Sequence, residues 1–449
     1  MGLWGSGGRL VQEAQVRRLQ LAFMRIVYIH QYFDTPASNG GTRSYEFARR
    51  LVAAGHEVHM VTSDRGSHAR RGAYQTTEAG IEVHWLPVSY SNHMNYMQRS
   101  VAFFRFALGA AAKAGSLACD VVFATSTPLT VAIPGVWAAR YQRVPMVFEV
   151  RDLWPKVPIA LGALQNPALR WAATALEKWA YVNSEAVVAL SPGMCAGVVE
   201  GGVAPERVAM IPNACDLAEF QVEPERVQAF RASRPWLGEG PVVLYAGAFG
   251  RVNGVGWLVP VARHLQDIAP DVRVLLIGDG AERAEVEAKA AEAGVLGVNL
   301  FMERPLPKAE IPAAFATSAL AANLTIDVEA LQANSANKFF DSLAAGVPVL
   351  LNGGGWLAEM VERFGAGIVA WRVDERAVAE HIAGALKDSV WRASASAAAR
   401  KLAEERFDRD DLAGKLESVL RAAANRRGHV AADIAPWNSL NRFSRPVVS

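Results

Sequence analysis

Hydrophobic positions along this chain fall into two alternating rhythms. The runs RIVYIHQYF, HEVHMVTSD, DVVFATS, PMVFEVR and EAVVALSP, between residues 25 and 192, are short and rich in β-branched side chains and read as strands. Between them, RSYEFARRLVAAG and NPALRWAATALEKWAYVN carry apolar residues at helical spacing. Strands that are apolar almost throughout, joined through helices, predict a parallel sheet covered on both faces. After RVAMIPNACD the rhythm restarts, with GPVVLYAGAF, VRVLLIGDG, VNLFME, ALAANLT and VPVLLNGG as strands and GVGWLVPVARHLQDIA and ERAEVEAKAAEAG as helices. The fold expected is α/β: two doubly wound, Rossmann-like domains facing a cleft at the carboxyl ends of their strands. EPERVQAFRASRPWLGEGP breaks the pattern near the join. The organisation expected is a flexible extension over residues 1–23, a first domain over 24–205, a second domain over 206–424 that closes with a helix, and a loosely ordered tail over 425–449.

Composition narrows the class without naming an activity. Half the residues are hydrophobic (51%) and 20% are charged, as in a globular protein. The formal net charge of +2 gives no footprint for nucleic acid. Cys119, Cys195 and Cys215 lack C-x-x-C spacing and read as small buried hydrophobes in a reducing compartment. The nine histidines include no H-x-x-x-H, so no metal site is expected. The first residues, MGLWGSGGRLVQEAQVRRLQLAF, have neither the apolar core nor the cleavage site of a signal peptide, and no apolar run reaches membrane-span length. A soluble, cytoplasmic chain is expected. Trp154 and Trp171 are expected in the first domain's core.

Candidate chemistry gathers at glycine-rich strand ends. Gly40 and Gly41 precede a helix whose N–H groups suit a phosphate or an acceptor hydroxyl. Gly247 and Gly250 follow a strand with Arg251 beside them, and Gly278 and Gly280 repeat the arrangement. Singly, each is as well read as a plain turn. In NSANKFFDSLAAGVPVLLNGGG, a helix would put Asn337 on a face with Asp341, four apart, and Lys338 with Asp341, three apart. A solvated ion pair is the plain reading; a carboxylate for a ribose diol and an ammonium for a diphosphate is the functional one.

IPNACDLAEF, YAGAFGRVNG, GDGAER and NKFFDSLAAGVPVL, in that order, resemble the donor domain of the retaining glycosyltransferases of family 4, which have the GT-B fold; GGTRSYEFARRLVAAGHEVHMVTS resembles their first domain. The resemblance covers about residues 24–420 and extends to bacterial O-antigen and capsule enzymes of N-acetylfucosaminyl type. It implies transfer from a nucleotide-diphosphate sugar, with the nucleotide sugar as substrate and no cofactor. It also implies Asp341 at the ribose, in the place of the second of two glutamates the family often has, with Ala333 in the place of the first. Arg251 stands in the phosphate loop, with Asn253 where a lysine is usual, and Lys338 supplies the second positive charge. Gly250, Gly278 and Asn337 complete the donor side, and Arg151 and Asp152 stand where the family often has a His or His-Asp pair. The one Asp-x-Asp pair, Asp408 and Asp410, opens a C-terminal helix, so metal-independent chemistry is expected.

The acceptor is less defined. HMNYMQRSVAFFRFALGAAAKAG, from His93 to Gly115, mixes aromatics with Arg99, Arg105 and Lys113, and Arg65, Arg70 and Arg71 lie upstream. Two readings stand: an amphipathic surface for the cytoplasmic face of the inner membrane and a polyprenyl-linked or other saccharide acceptor, or a helix whose aromatic face packs under the sheet. Two further functions remain open, a nucleotide-sugar 2-epimerase and a non-catalytic nucleotide-sugar-binding protein. An NAD-dependent oxidoreductase is disfavoured because no glycine turn reads G-x-G-x-x-G.

Overall fold

The computed structural model describes residues 23–37, 40–65, 72–90, 94 and 96–425. The N-terminal extension to residue 22, Arg70, Arg71, His93 and the tail from 426 lie outside the described residues.

Two sheets form two lobes. In the first, β1 (Arg25–Ile29), β2 (Glu57–Ser63), β4 (Ile81–Leu86), β5 (Val121–Thr125), β6 (Met146–Val150), β7 (Ala186–Ala189) and β8 (Val208–Met210) run parallel in the order β4-β2-β1-β5-β6-β7-β8. An antiparallel edge strand, β3 (Tyr74–Glu78), pairs with β4 through a tight turn at Ala79 and Gly80, both at positive φ. The second sheet holds β9 (Val242–Ala246), β10 (Arg273–Ile277), β11 (Leu300–Glu303), β12 (Leu320–Asn323), β13 (Val349–Leu351) and β14 (Gly367–Val369), all parallel, in the order β11-β10-β9-β12-β13-β14. The central strands are buried at nearly every position, as two covered faces require.

Helices Tyr96–Ser116, Ala132–Gln142, Pro167–Val182 and Pro192–Glu200 cover one face of the first sheet. The other face takes helix Arg43–Ala53 and the final helix, Arg409–Ala424. That helix was expected to close the second domain; its buried stripe of Leu412, Leu416 and Leu420 instead completes the first lobe. The chain also crosses later than the expected join at 205/206, because β8 pairs with β7. Outgoing and returning segments run side by side: Cys215 N donates to Phe407 O (3.1 Å) and Arg409 N to Cys215 O (3.1 Å). Trp154 packs against the first lobe's core, whereas Trp171, expected there, is 74% exposed.

Candidate functional site

A cavity of about 380 Å³ lies where the strand ends of the two lobes face each other. Gly40, Gly41 and Thr42 of the first lobe line it, with the ends of β9 and β10, Asn337 and Asp341 of the second. The lobes meet here: a β-carbon on Gly41 would stand 3.6 Å from Asn337 Nδ2, and Lys308 Nζ donates to Thr42 Oγ1 at 3.3 Å. Gly278 is sterically required: at φ +147°, a β-carbon there would come within 1.8 Å of the backbone Gly247 O. Gly40 packs against the Asp34 carboxylate, which a β-carbon there would displace. Six of the residues singled out from the sequence, Gly40, Gly41, Gly247, Gly278, Asn337 and Asp341, thus line one cavity. Gly250, Arg251, Asn253, Lys338, Arg151 and Asp152 do not.

Lys338 sits one position along helix Asn337–Ala344 from Asn337 and therefore faces another way. Its Nζ lies 3.1 Å from Asn253 Oδ1, 3.5 Å from Tyr245 Oη and 4.9 Å from the centre of the Tyr245 ring. Burial lowers its pKa to about 8, with no carboxylate beside it among the described residues to oppose the shift. Asp341 lines the cavity, and Lys338 stands behind its wall against Gly247. Arg251 is exposed, while Asn253 is held by a bond from its Nδ2 to Ala248 O at 2.9 Å, which presents Oδ1 to the lysine. Tyr245 was not anticipated, although it closes a β9 run that the sequence did mark as a strand.

Asp341 is half-buried, and burial raises its pKa to about 7 against the opposing pull of Arg409. Arg409 pairs with Asp216 at 2.9 Å, and Lys308 lies 3.9 Å from Glu219. Glu46, Asp216 and Glu219 bring carboxylate oxygens within 4.8 Å of one another, but Arg50 pairs with Glu46 at 2.8 Å and with Asp216 at 2.6 Å. These carboxylates are matched by the chain's own cations. Asp408, read as a helix-opening residue, does cap its helix, accepting from Asp410 N and Asp411 N.

At the end of β6, Arg151 N donates to Ser126 Oγ at 3.0 Å, and its Nη1 lies 3.3 Å from His30 Nε2. His30, unremarked in the sequence, is buried with its other ring nitrogen 2.9 Å from Ser44 Oγ; burial and then Arg151 keep it neutral by lowering its pKa. Burial lifts Asp152 to about 6. Ala333 lies at an interlobe contact, where Ser191 Oγ donates to its carbonyl at 2.7 Å and a β-carbon on Gly193 would stand 2.9 Å from its own. Any residue larger than glycine at 193 would press on this contact.

Residues 40–214 match the family model of the glycosyl transferase 4-like domain, and residues 227–402 match that of glycosyl transferases group 1. The two matches fall on the two lobes in chain order, so each lobe resembles a glycosyltransferase domain. The boundary of the first match, after β8, agrees with where the chain leaves the first sheet. Among curated relatives, the chain is 30% identical over 210 residues to the 2-deoxystreptamine glucosyltransferase of Streptomyces kanamyceticus, a match covering 46% of this chain and 51% of that one. The chain thus spans about half the length of this relative. Sucrose-phosphate synthase from Thermosynechococcus elongatus superposes with a TM-score of 0.72 at 18% identity, covering 88% of this chain and 98% of that one. Anabaena HepE in complex with UDP and glucose gives 0.65 at 17%, covering 89% and 100%. At such identities the likeness speaks to fold, and the family's fold is the GT-B arrangement expected from the sequence.

Proposed function

We propose that this protein is a retaining glycosyltransferase that moves a sugar from a UDP-linked donor to a saccharide or polyprenyl-linked acceptor, without a metal. The observation that carries this is helix Asn337–Ala344. It presents Asp341 to the interlobe cavity and holds Lys338, an ammonium without a carboxylate partner among the described residues, at the end of β9. The carboxylate suits a ribose diol and the ammonium a departing diphosphate, whose charge it stabilises as the glycosidic bond breaks. UDP is favoured as the leaving group because HepE has been crystallised with UDP-glucose and an Escherichia coli relative with UDP-2-fluoro glucose. Departure and attack on the same face, with the leaving phosphate accepting the acceptor's proton, require no protein nucleophile. Arg151 and Asp152, at the end of β6, face the reacting sugar in this reading, and Gly40 and Gly41 the acceptor. The narrower expectation is a bacterial polysaccharide precursor and N-acetylfucosaminyl-type transfer. Nothing in the cleft favours an epimerase, whose elimination chemistry calls for a free cleft histidine; His30 is engaged on both nitrogens.

Thermal-shift titration with UDP, GDP, ADP and TDP, with magnesium and with EDTA, tests the reading. UDP at a hundred times its dissociation constant raises Tm by roughly 5–10 °C in either condition. Asp341→Ala weakens UDP-glucose binding by about tenfold to a hundredfold, as expected for hydrogen bonds to a charged acceptor. Glu292→Ala, on an exposed helix end, leaves it unchanged. Equal affinities of the two variants, or no shift with any nucleotide, would overturn the assignment. Release of UDP that depends on an added acceptor separates transfer from the epimerase and from simple binding.

Affinity for UDP-glucose, whose diphosphate does not titrate in this range, has a maximum between pH 7 and 8. Below about 7 Asp341 takes up a proton and loses acceptor strength, and above about 8 free Lys338 loses its charge. Bound diphosphate raises the pKa of Lys338, so affinity is full below 8 and falls as pH climbs from there towards the higher, bound value. Calorimetric titrations from pH 6 to 10 check both limbs; a flat profile would remove both groups from the site.

A further inference from the structure

Three neighbouring helices of the first lobe carry apolar side chains on the sides turned away from the sheet. Helix Tyr96–Ser116 buries Ala102, Phe106, Ala110 and Ala114 against the strands. On its other side Met97, Val101, Phe104 and Leu108 are 72%, 50%, 57% and 72% exposed. Steps of four, three and four residues place these four in one stripe. Helix Ala132–Gln142 packs alongside. Its Gln142 Nε2 donates to Gly115 O at 2.6 Å, and Trp137 lies against Gly115 so closely that a β-carbon there would come within 2.3 Å of the ring. Trp137 stacks on Tyr141 with centroids 5.3 Å apart and planes 4° from parallel, and both rings stay exposed. The third helix, Pro167–Val182, joins through Arg140 Nη2, which donates to Asn183 Oδ1 at 2.6 Å, and it exposes Trp171, Trp179 and Val182. Single exposed apolar residues are ordinary; a run over three adjoining helices marks an interaction surface.

Charge decides what covers it. The three helices hold Arg99, Arg105, Lys113, Arg140, Arg170 and Lys178 against one carboxylate, Glu177, which accepts from Tyr181 Oη at 3.1 Å. We propose that this face docks on the surface of an anionic lipid bilayer, with Phe, Trp and Leu entering the headgroup boundary and the cations meeting lipid phosphates. A second copy of the chain is a poor occupant, because a symmetric contact sets each copy's cations against the other's. The contact is peripheral: among the described residues no helix is long and apolar enough to cross a membrane.

The face also leads to the cleft. Phe103, on the same helix, stacks with Tyr90 (5.8 Å), and Tyr90 packs on Tyr32 (4.9 Å) just beyond β1. Arg65 lies 5.5 Å over Tyr32 and pairs at 2.5 Å with Asp34, whose carboxylate abuts Gly40 of the cavity wall. A docked bilayer therefore sits near the outer end of an aromatic ladder that stops at Tyr32, from which Arg65 and Asp34 continue to the cavity wall. Docking rests on the surface alone; delivery of a lipid-linked acceptor along this ladder rests on the transferase reading above.

The test is co-sedimentation of the full chain with phosphatidylcholine vesicles, with and without phosphatidylglycerol, at low and high salt, with UDP-glucose affinity measured in parallel. The chain binds the anionic vesicles, and salt weakens the binding. Met97→Gln/Phe104→Gln/Leu108→Gln weakens it by about tenfold or more, with Tm and UDP-glucose affinity unchanged. Trp171→Gln, on the third helix, weakens it in the same direction. Vesicle binding absent, or equal for the triple variant and the native chain, or equal on neutral and anionic vesicles, overturns the docking. So does a dimer in ultracentrifugation that the triple variant dissolves, which gives the face to a second copy. Loss of UDP-glucose binding with vesicle binding intact overturns the donor reading and leaves the docking standing.

Discussion

Lys338→Met lowers turnover by about a hundredfold to a thousandfold, the loss that follows removal of one preorganised donor to a developing anion. The expectation comes from the lysine's surroundings. Its Nζ is held by a neutral amide and a neutral phenol, 3.1 Å and 3.5 Å away, and burial lowers its pKa to about 8 without relief from a carboxylate. A cation kept in that state is poorly stabilised in the free protein and gains when an anion arrives. The gain is greatest when negative charge peaks, as the diphosphate departs, so kcat falls more than KM rises. The alkaline limb of the UDP-glucose affinity profile also disappears in Lys338→Met while the acid limb, set by Asp341, persists. Asn253→Asp separates this from a packing effect: a carboxylate 3.1 Å from Nζ would satisfy the ammonium within the protein, raise its pKa and weaken donor binding although the lysine is retained. Steady-state kinetics and calorimetry on the two variants decide it, and unchanged kcat in Lys338→Met would remove the lysine from the chemistry.

The sequence discloses what local pattern encodes. RIVYI, VVFAT and MVFEV are strands because β-branched and aromatic residues fill a sheet covered on both faces, and each stands where its apolar run predicts. The YQTTE strand was not legible because its side chains alternate between half-buried and exposed, and its register comes from the turn at Ala79–Gly80 and not from apolar content. The docking of the last helix was equally hidden: periodicity marks Leu412, Leu416 and Leu420 as a buried stripe but does not say against which lobe. The same limit shaped the site. Asn337 and Asp341 reach one cavity because four residues make roughly one helical turn, a local fact. Lys338 takes its direction from Tyr245 and Asn253, 93 and 85 positions away, and Arg409 finds Asp216 only because the two interlobe segments run together. Trp171 shows the converse, an aromatic on an amphipathic helix whose exposure depends on which side meets the sheet.

Arg43→Met destabilises the first lobe by about 3–5 kcal/mol, the cost of leaving one member of a buried ion pair alone. Arg43 is among the largest fully buried side chains of the protein. Its Nη2 lies 2.7 Å from Glu149 Oε1 and 2.9 Å from Ile211 O, and its Nη1 donates to Pro212 O at 2.6 Å. One guanidinium thus ties the first turn of helix Arg43–Ala53 to the end of β6 and to the segment by which the chain leaves the first sheet. Burial alone would raise the pKa of Glu149, and the Arg43 charge and hydrogen bonds overcome that and hold it below its ordinary 4.5. A depressed carboxyl contributes stability above its unfolded pKa and loses it as pH falls through the folded value, so the native protein loses this contribution below about pH 4.5. In Arg43→Met the sign reverses. Glu149, stripped of its cation, is raised by burial, takes up a proton on folding and is least tolerated at high pH. The gap in Tm between native and variant is therefore widest at neutral pH and narrows on acidification, and Arg43→Met/Glu149→Gln recovers part of it by removing the stranded charge. Calorimetric melting at pH 5 and 7.5 reads this directly; a gap independent of pH would show that Arg43 acts through packing and carbonyl contacts and not through Glu149. Because Arg43 directly follows Gly40, Gly41 and Thr42, the variant also loosens the first-lobe wall of the donor cavity, and weaker UDP-glucose binding accompanies the lost stability.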